Sequence, residues 1–159
     1  MFARLVILRT SALKPVERTV RNSKLFRPLV KRFIAGDTLR EAMAASEELL
    51  DKGYYVTLDY LGENTHTEDE ARTATKIFKE MLDTIGARSS AQQFDPSGYK
   101  DGNVEPFNIS IKLTQCGLDL GDEFAEENLR EVLENARFHG NFVRVDMEGS
   151  AYTDRTMLM

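Results

Sequence analysis

Three short stretches of the chain alternate between apolar and polar residues, and helical periodicity fills the distance between them. In Asn108–Thr114, Ile109, Ile111 and Leu113 fall on one face and Asn108, Ser110, Lys112 and Thr114 on the other. That is the period of two expected of a strand. Tyr54–Tyr60 sets Val56 and Leu58 against Tyr55, Thr57 and Asp59, and Asn141–Met147 sets Val143, Val145 and Met147 against Phe142, Arg144 and Asp146. Thr38 and Glu41 have capping-box spacing and open a helix carrying Leu39, Ala42, Met43, Ser46, Leu49 and Leu50, with Gly53 placed as its terminating glycine. Thr67 and Glu70 open a second, with Ala71, Ala74, Ile77, Phe78, Met81, Leu82 and Ile85 in its stripe and Gly86 as its expected end. The third runs from about Asp122 to His139 with Ala125, Leu129, Val132, Leu133 and Ala136 on one side, and another helix begins near Thr153.

Residues 12–34 predict two weaker helical pieces, broken near Asn22-Ser23, so that residues 1–36 read as a basic helical segment ahead of a domain over 37–159. Ala87–Pro106 predicts a polar loop, and disorder is the expectation for a connection of that length. Gln115–Leu120 predicts a shorter loop.

Strands alternating with helices imply parallel pairing and right-handed crossovers. Asn108 and Phe142 lie 34 residues apart, a normal βα repeat. Such units begin either a doubly wound sheet or a (β/α)8 barrel. No Gly-x-Gly-x-x-Gly or Walker pattern follows a strand, which weakens the nucleotide-sheet option. Each strand also has one polar face: Thr57 and Asp59, Ser110 and Lys112, Arg144 and Asp146. An open sheet covered by helices on both sides is apolar on both, whereas a barrel interior places polar groups at its C-terminal mouth. The expectation is a partial (β/α)8 TIM-type barrel of about three βα units preceded by N-terminal helices. An antiparallel sheet with one wet face is the alternative, and the intervening helices count against it.

The 159 residues suffice for one domain. Cys116 is the lone cysteine, so there is no disulfide framework, and the two histidines, His66 and His139, match no metal-ligand spacing. His139, at a helix C-terminus, is expected only to interact with the helix dipole, and Cys116 to be a packed or loop thiol. No apolar run approaches bilayer length. Residues 1–36 contain nine Lys/Arg against Glu17 alone, a charge of +8, which leaves −13 for the remainder of a chain of net −5. This points to a solvated helical face or to contact with anionic lipid; no recognition motif for nucleic acid accompanies it.

Lys112 is the chemical centre of the pattern. A lysine on an inward face needs a partner, and Asp59, Lys112, Arg144 and Asp146 together sum to zero charge. Glu63 and Glu148 lie just past two strand ends. A lysine caged by carboxylates stays protonated and binds a substrate carboxylate or steers a cofactor. Two other readings stand beside this: a Schiff-base lysine of an aldolase, and an interior ion pair that fixes register.

Five segments in order carry a resemblance: Phe33-Ile34-Ala35-Gly36-Asp37-Thr38, Val56-Thr57-Leu58-Asp59-Tyr60-Leu61-Gly62-Glu63-Asn64, Asn108-Ile109-Ser110-Ile111-Lys112-Leu113-Thr114-Gln115, Gly140-Asn141-Phe142-Val143-Arg144-Val145-Asp146-Met147-Glu148 and Ser150-Ala151-Tyr152-Thr153-Asp154. Together they resemble the bacterial monofunctional proline dehydrogenases. The resemblance implies a distorted barrel holding FAD that oxidises L-proline to Δ1-pyrroline-5-carboxylate, passing electrons to a membrane quinone. It implies Lys112 and Asp146 as catalytic and substrate-side residues, Glu63 in the same charged network, and Asp146 and Met147 beside the cofactor. It also implies a cytoplasmic protein, peripheral on the inner face of the cell membrane through its basic start. The family's barrel is about twice this length, so the expectation is an N-terminal half, inactive alone, without the C-terminal arginine pair that clamps the substrate carboxylate. The alternative is a non-catalytic remnant that folds by association with a second half or with itself.

Overall fold

The computed structural model describes residues 34–62, 65–91 and 106–159. The chain divides into two compact units at Glu48–Leu49. In the first lies most of helix α1 (Leu39–Leu50), with Met43 and Ser46 buried. Its start is stapled as the spacing predicts: Glu41 N–H donates to Thr38 Oγ1 at 3.3 Å, and the Glu41 carboxylate accepts from Asp37 N–H at 3.0 Å. The helical pieces predicted over 12–34 lie outside the described residues except for Ile34, which is not helical.

The second unit continues with β1 (Val56–Asp59), α2 (Glu68–Ala91), β2 (Phe107–Ile111), α3 (Asp122–Phe138), β3 (Val143–Val145) and α4 (Thr153–Leu158). The strands form one parallel sheet in the order β1-β2-β3. Parallel pairing rules out the wet antiparallel sheet. It follows from the intervening helices, because a parallel return needs a crossover. Asp59 pairs with Ser110, and Ser110 with Arg144, which fixes the register.

All three strands are shorter than their alternation suggests. Alternation continues past the last ladder bond, because it reports which way side chains point and not whether the backbone is paired. Thus Lys112 lies one residue beyond β2, and Leu113 and Thr114 belong to a turn that runs to Leu120.

β2 is buried on both faces: Phe107, Ile109 and Ile111 on one, Asn108 and Ser110 on the other. Helix α2 packs on β2 and on α3. Phe78, Leu82 and Ile85 of α2 and Val132 of α3 are fully buried, each contributing about 1.5–3 kcal/mol by removal from water. Leu133 is exposed although its spacing places it in the stripe; Asn128 is buried instead, donating from Nδ2 to Cys116 C=O at 2.9 Å. Cys116 is buried, as expected of a packed thiol.

The α2 start is the predicted capping box: Glu70 N–H donates to Thr67 Oγ1 at 3.3 Å, and the Glu70 carboxylate accepts from His66 and Thr67 N–H at 2.7 and 3.1 Å. Those amide bonds hold the Glu70 pKa below its usual value. Gly86 does not end α2, which continues to Ala91. The glycine is there for space: a Cβ at Gly86 would overlap the His139 ring. His139 in turn exceeds its expected dipole role, with Nε2 2.9 Å from Asp83 Oδ1 on α2.

Candidate functional site

The parallel order brings the C-terminal ends of β1, β2 and β3 side by side, and the charged residues collect there. Lys112 Nζ lies 2.9 Å from Asp59 Oδ2 and 3.9 Å from Asp146 Oδ2, with the lysine side chain 17% exposed and the aspartates 32% and 46%. Asp59 ends β1, Lys112 follows β2, and Asp146 follows β3, held by a bond from its N–H to Ile111 C=O at 2.9 Å. One lysine thus bridges carboxylates from both neighbouring strands.

Arg144 does not join them. Its guanidinium sits over the Phe142 ring, 5.2 Å from the centroid, so the trio carries a net charge of −1 rather than the neutral set of four. Met147 follows Asp146 and is 54% exposed. Glu63 lies outside the described residues.

The turn after β2 holds this arrangement in place. The Glu148 carboxylate accepts from both Thr114 N–H (3.1 Å) and Thr114 Oγ1–H (2.6 Å). Thr65 Oγ1 donates to Thr114 C=O at 2.6 Å, bringing in the loop after β1. Tyr152 Oη donates to Asp119 at 3.2 Å, while Arg155 donates to Leu118 C=O and Asp122, which ties α4 to the same turn. Burial, with the Glu148 charge adding to it, pushes the Cys116 thiol up to about 12; it takes no part in chemistry near neutral pH.

Sequence reasoning placed Lys112 and Asp146 correctly beside each other and missed two supports. Glu148 registers as a loop carboxylate, but nothing in its spacing names Thr114 as its target. Gln115, fully buried, carries no periodic signal, because turn residues obey neither the strand nor the helix period.

On the polar face, Ser110 Oγ is buried with no hydrogen-bond partner among the described residues. A buried hydroxyl without a partner is costly. That orphaned hydroxyl lies on the same face of β2 as Lys112 and is a polar contact left for a bound group, and the Met147 thioether past β3 is an exposed apolar one.

Strands that pair in chain order with helical crossovers are the arrangement of a βα-barrel, of which this chain builds about three units, with its charged side chains at the C-terminal ends of the strands. The chain belongs to the proline dehydrogenase family, whose profile matches residues 42–159. It is 32% identical over 127 residues to "Proline dehydrogenase 1" of Bacillus subtilis subsp. natto, covering 80% of this chain and 37% of that protein. It is 26% identical over 151 residues to "Proline dehydrogenase" of Deinococcus radiodurans, covering 93% and 44%. The chain therefore spans less than half the length of these relatives. The crystal structure of proline utilization A from Bdellovibrio bacteriovorus, inactivated by N-propargylglycine, superposes with a TM-score of 0.73 at 22% identity, over 84% of this chain and 15% of that one. That likeness extends the family's barrel fold to the described sheet.

Proposed function

We propose that this chain supplies the substrate-side charges for flavin-dependent oxidation of L-proline to Δ1-pyrroline-5-carboxylate. The observation that carries the reading is Lys112 held between Asp59 and Asp146 at the sheet's C-terminal ends, in a member of this family. Proline is a zwitterion. The Lys112 ammonium offers a charge-assisted bond to its carboxylate, and the surplus negative charge of Asp59 and Asp146 favours its ring ammonium. Glu63 is the further carboxylate that the family resemblance assigns to this charged set.

Asp146, Met147 and Ser110 are the residues that would line the flavin. The flavin, when bound, supplies the acceptor for the hydride leaving the proline ring. Lys112 and Asp146 orient the substrate, and the buried face of β2 excludes water behind it. A membrane quinone would be the final electron acceptor in this reading. The +8 charge of residues 1–36 supports peripheral contact with the anionic inner face of the cell membrane, on the cytoplasmic side. Among the described residues no helix is long and apolar enough to cross a membrane.

The test is the visible spectrum of the purified chain combined with the C-terminal half of a related barrel and FAD, before and after anaerobic addition of proline, because the half chain alone is expected to be inactive. Bleaching of the flavin band by proline, weakened about tenfold or more in apparent affinity by Lys112→Met, is expected. A flavin band indifferent to proline, or a Lys112→Met chain indistinguishable from the parent, sinks the reading.

A further inference from the structure

We propose that Gln115 is the positioning residue for Lys112, its side-chain amide standing in for a missing rung of the sheet. The proposal rests on reading Lys112 as a substrate-side group, and its geometry stands apart from that reading.

In the β1–β2 ladder each bonded residue of β1 sits between two residues of β2. Val56, paired with Phe107, takes its N–H bond to Pro106 C=O at 2.7 Å. Carrying that register past Asp59 and Ser110 pairs Tyr60 with Ile111. The next bond in sequence would then run from Lys112 N–H to Tyr60 C=O. Neither group makes it. Lys112 N–H donates instead to Gln115 Oε1 at 3.0 Å, and Tyr60 C=O accepts from Gln115 Nε2 at 2.6 Å. An amide has been inserted between the two strands, one end on each.

The same residue holds Lys112 a second way, because Gln115 N–H donates to Lys112 C=O at 3.0 Å. Both backbone polar groups of Lys112 therefore end on Gln115. Tyr60, at the other end of the amide, directly follows Asp59. The inserted amide joins the immediate neighbour of one charge to the backbone of the other, and so sets the separation across which Lys112 Nζ meets Asp59 Oδ2. Without it, the ladder bond would draw the strand ends together and shift the stem of Lys112.

A merely structural role explains this poorly. Gln115 is fully buried, and a buried amide is tolerated only when both ends are satisfied. An apolar side chain with direct strand pairing fills the same space at less cost. The amide does what an apolar residue cannot: it keeps two strands apart while satisfying both.

The experiment measures amine acylation site by site, by mass spectrometry, on the full chain. Gln115→Met keeps the volume and removes both bonds; Gln115→Glu keeps the acceptor for Lys112 N–H and loses the donor to Tyr60. Lys112 is expected to change its acylation rate at least threefold in Gln115→Met, with Lys76 and Lys79 unchanged, and less in Gln115→Glu. Folding of each variant is checked by circular dichroism. Should Gln115→Met fail to fold, Gln115→Glu decides alone: a rate at Lys112 equal to the parent's overturns the proposal, and a selective change upholds it. A folded Gln115→Met chain with unaltered Lys112 acylation also overturns it. Where the parent responds to proline, the variant is expected to raise KM about tenfold with kcat within about twofold; the reverse split counts against positioning. A parent indifferent to proline overturns the proline reading alone, and the acylation rates still decide the role of Gln115.

Discussion

His139 occupies the space that a side chain on Gly86 would need, so a histidine at the end of α3 and a glycine five residues before the end of α2 form one contact. The expected consequence is specific. Gly86→Ala overlaps the imidazole and destabilises the fold by about 1–3 kcal/mol. In a His139→Ala background the clash is gone, and the same change becomes stabilising by up to about 1 kcal/mol through helix propensity. Denaturant unfolding of the four chains of this cycle measures the sign reversal; additive effects would show that the two residues do not share the space.

The same contact has an acid dependence. Hydrogen bonds from Asn135 and then His139 hold the Asp83 carboxyl below its usual 3.8. A depressed folded pKa means stability that is full above the unfolded value and lost as pH falls through the folded one. Asp83→Asn is therefore expected to flatten the stability curve below about pH 4 and to leave its shape at neutral pH unchanged. Unfolding midpoints between pH 2 and 7 check this, with Glu70, also depressed, retained in both chains.

Cys116 gives an alkaline counterpart. Its thiol is pushed from 9.0 up to about 12 by burial first and the Glu148 charge second. A raised folded pKa contributes stability below the unfolded value, and that contribution erodes as pH climbs from about 9 toward 12. Iodoacetamide at neutral pH is expected to leave the folded chain unlabelled and to label it on unfolding. Prompt labelling of the native chain would contradict the burial.

The fold was legible in the sequence to the extent that its determinants are local or periodic. Thr67 and Glu70 announce α2, the alternation of Ile109 and Ile111 announces β2, and their order dictates parallel pairing. Where contact partners are distant the sequence is silent. Gly86 has the appearance of a terminator, because the ring that fills its empty space comes 53 residues later. Lys112 and its two aspartates were readable as a cluster because consecutive parallel strands must place their C-terminal ends together. Arg144 was not, since a guanidinium at a strand edge can turn either to carboxylates or to an aromatic ring such as Phe142. Gln115 was invisible for the reason that makes it useful, as it replaces a backbone bond that regular geometry would otherwise form.

The Lys112–Asp59 pair spans 53 residues of chain, and this gives synthesis a timetable. At roughly 5–20 residues per second, a ribosome needs about 3 to 10 s after Asp59 to deliver Lys112. Throughout that interval β1 is an unpaired edge, flanked by the exposed Tyr54 and Tyr55 and open to other nascent chains. The uncompensated charge of Asp59 at its end is then the protection typical of exposed strand edges. The carboxylate that later holds the lysine first keeps the unfinished sheet from pairing with the wrong partner.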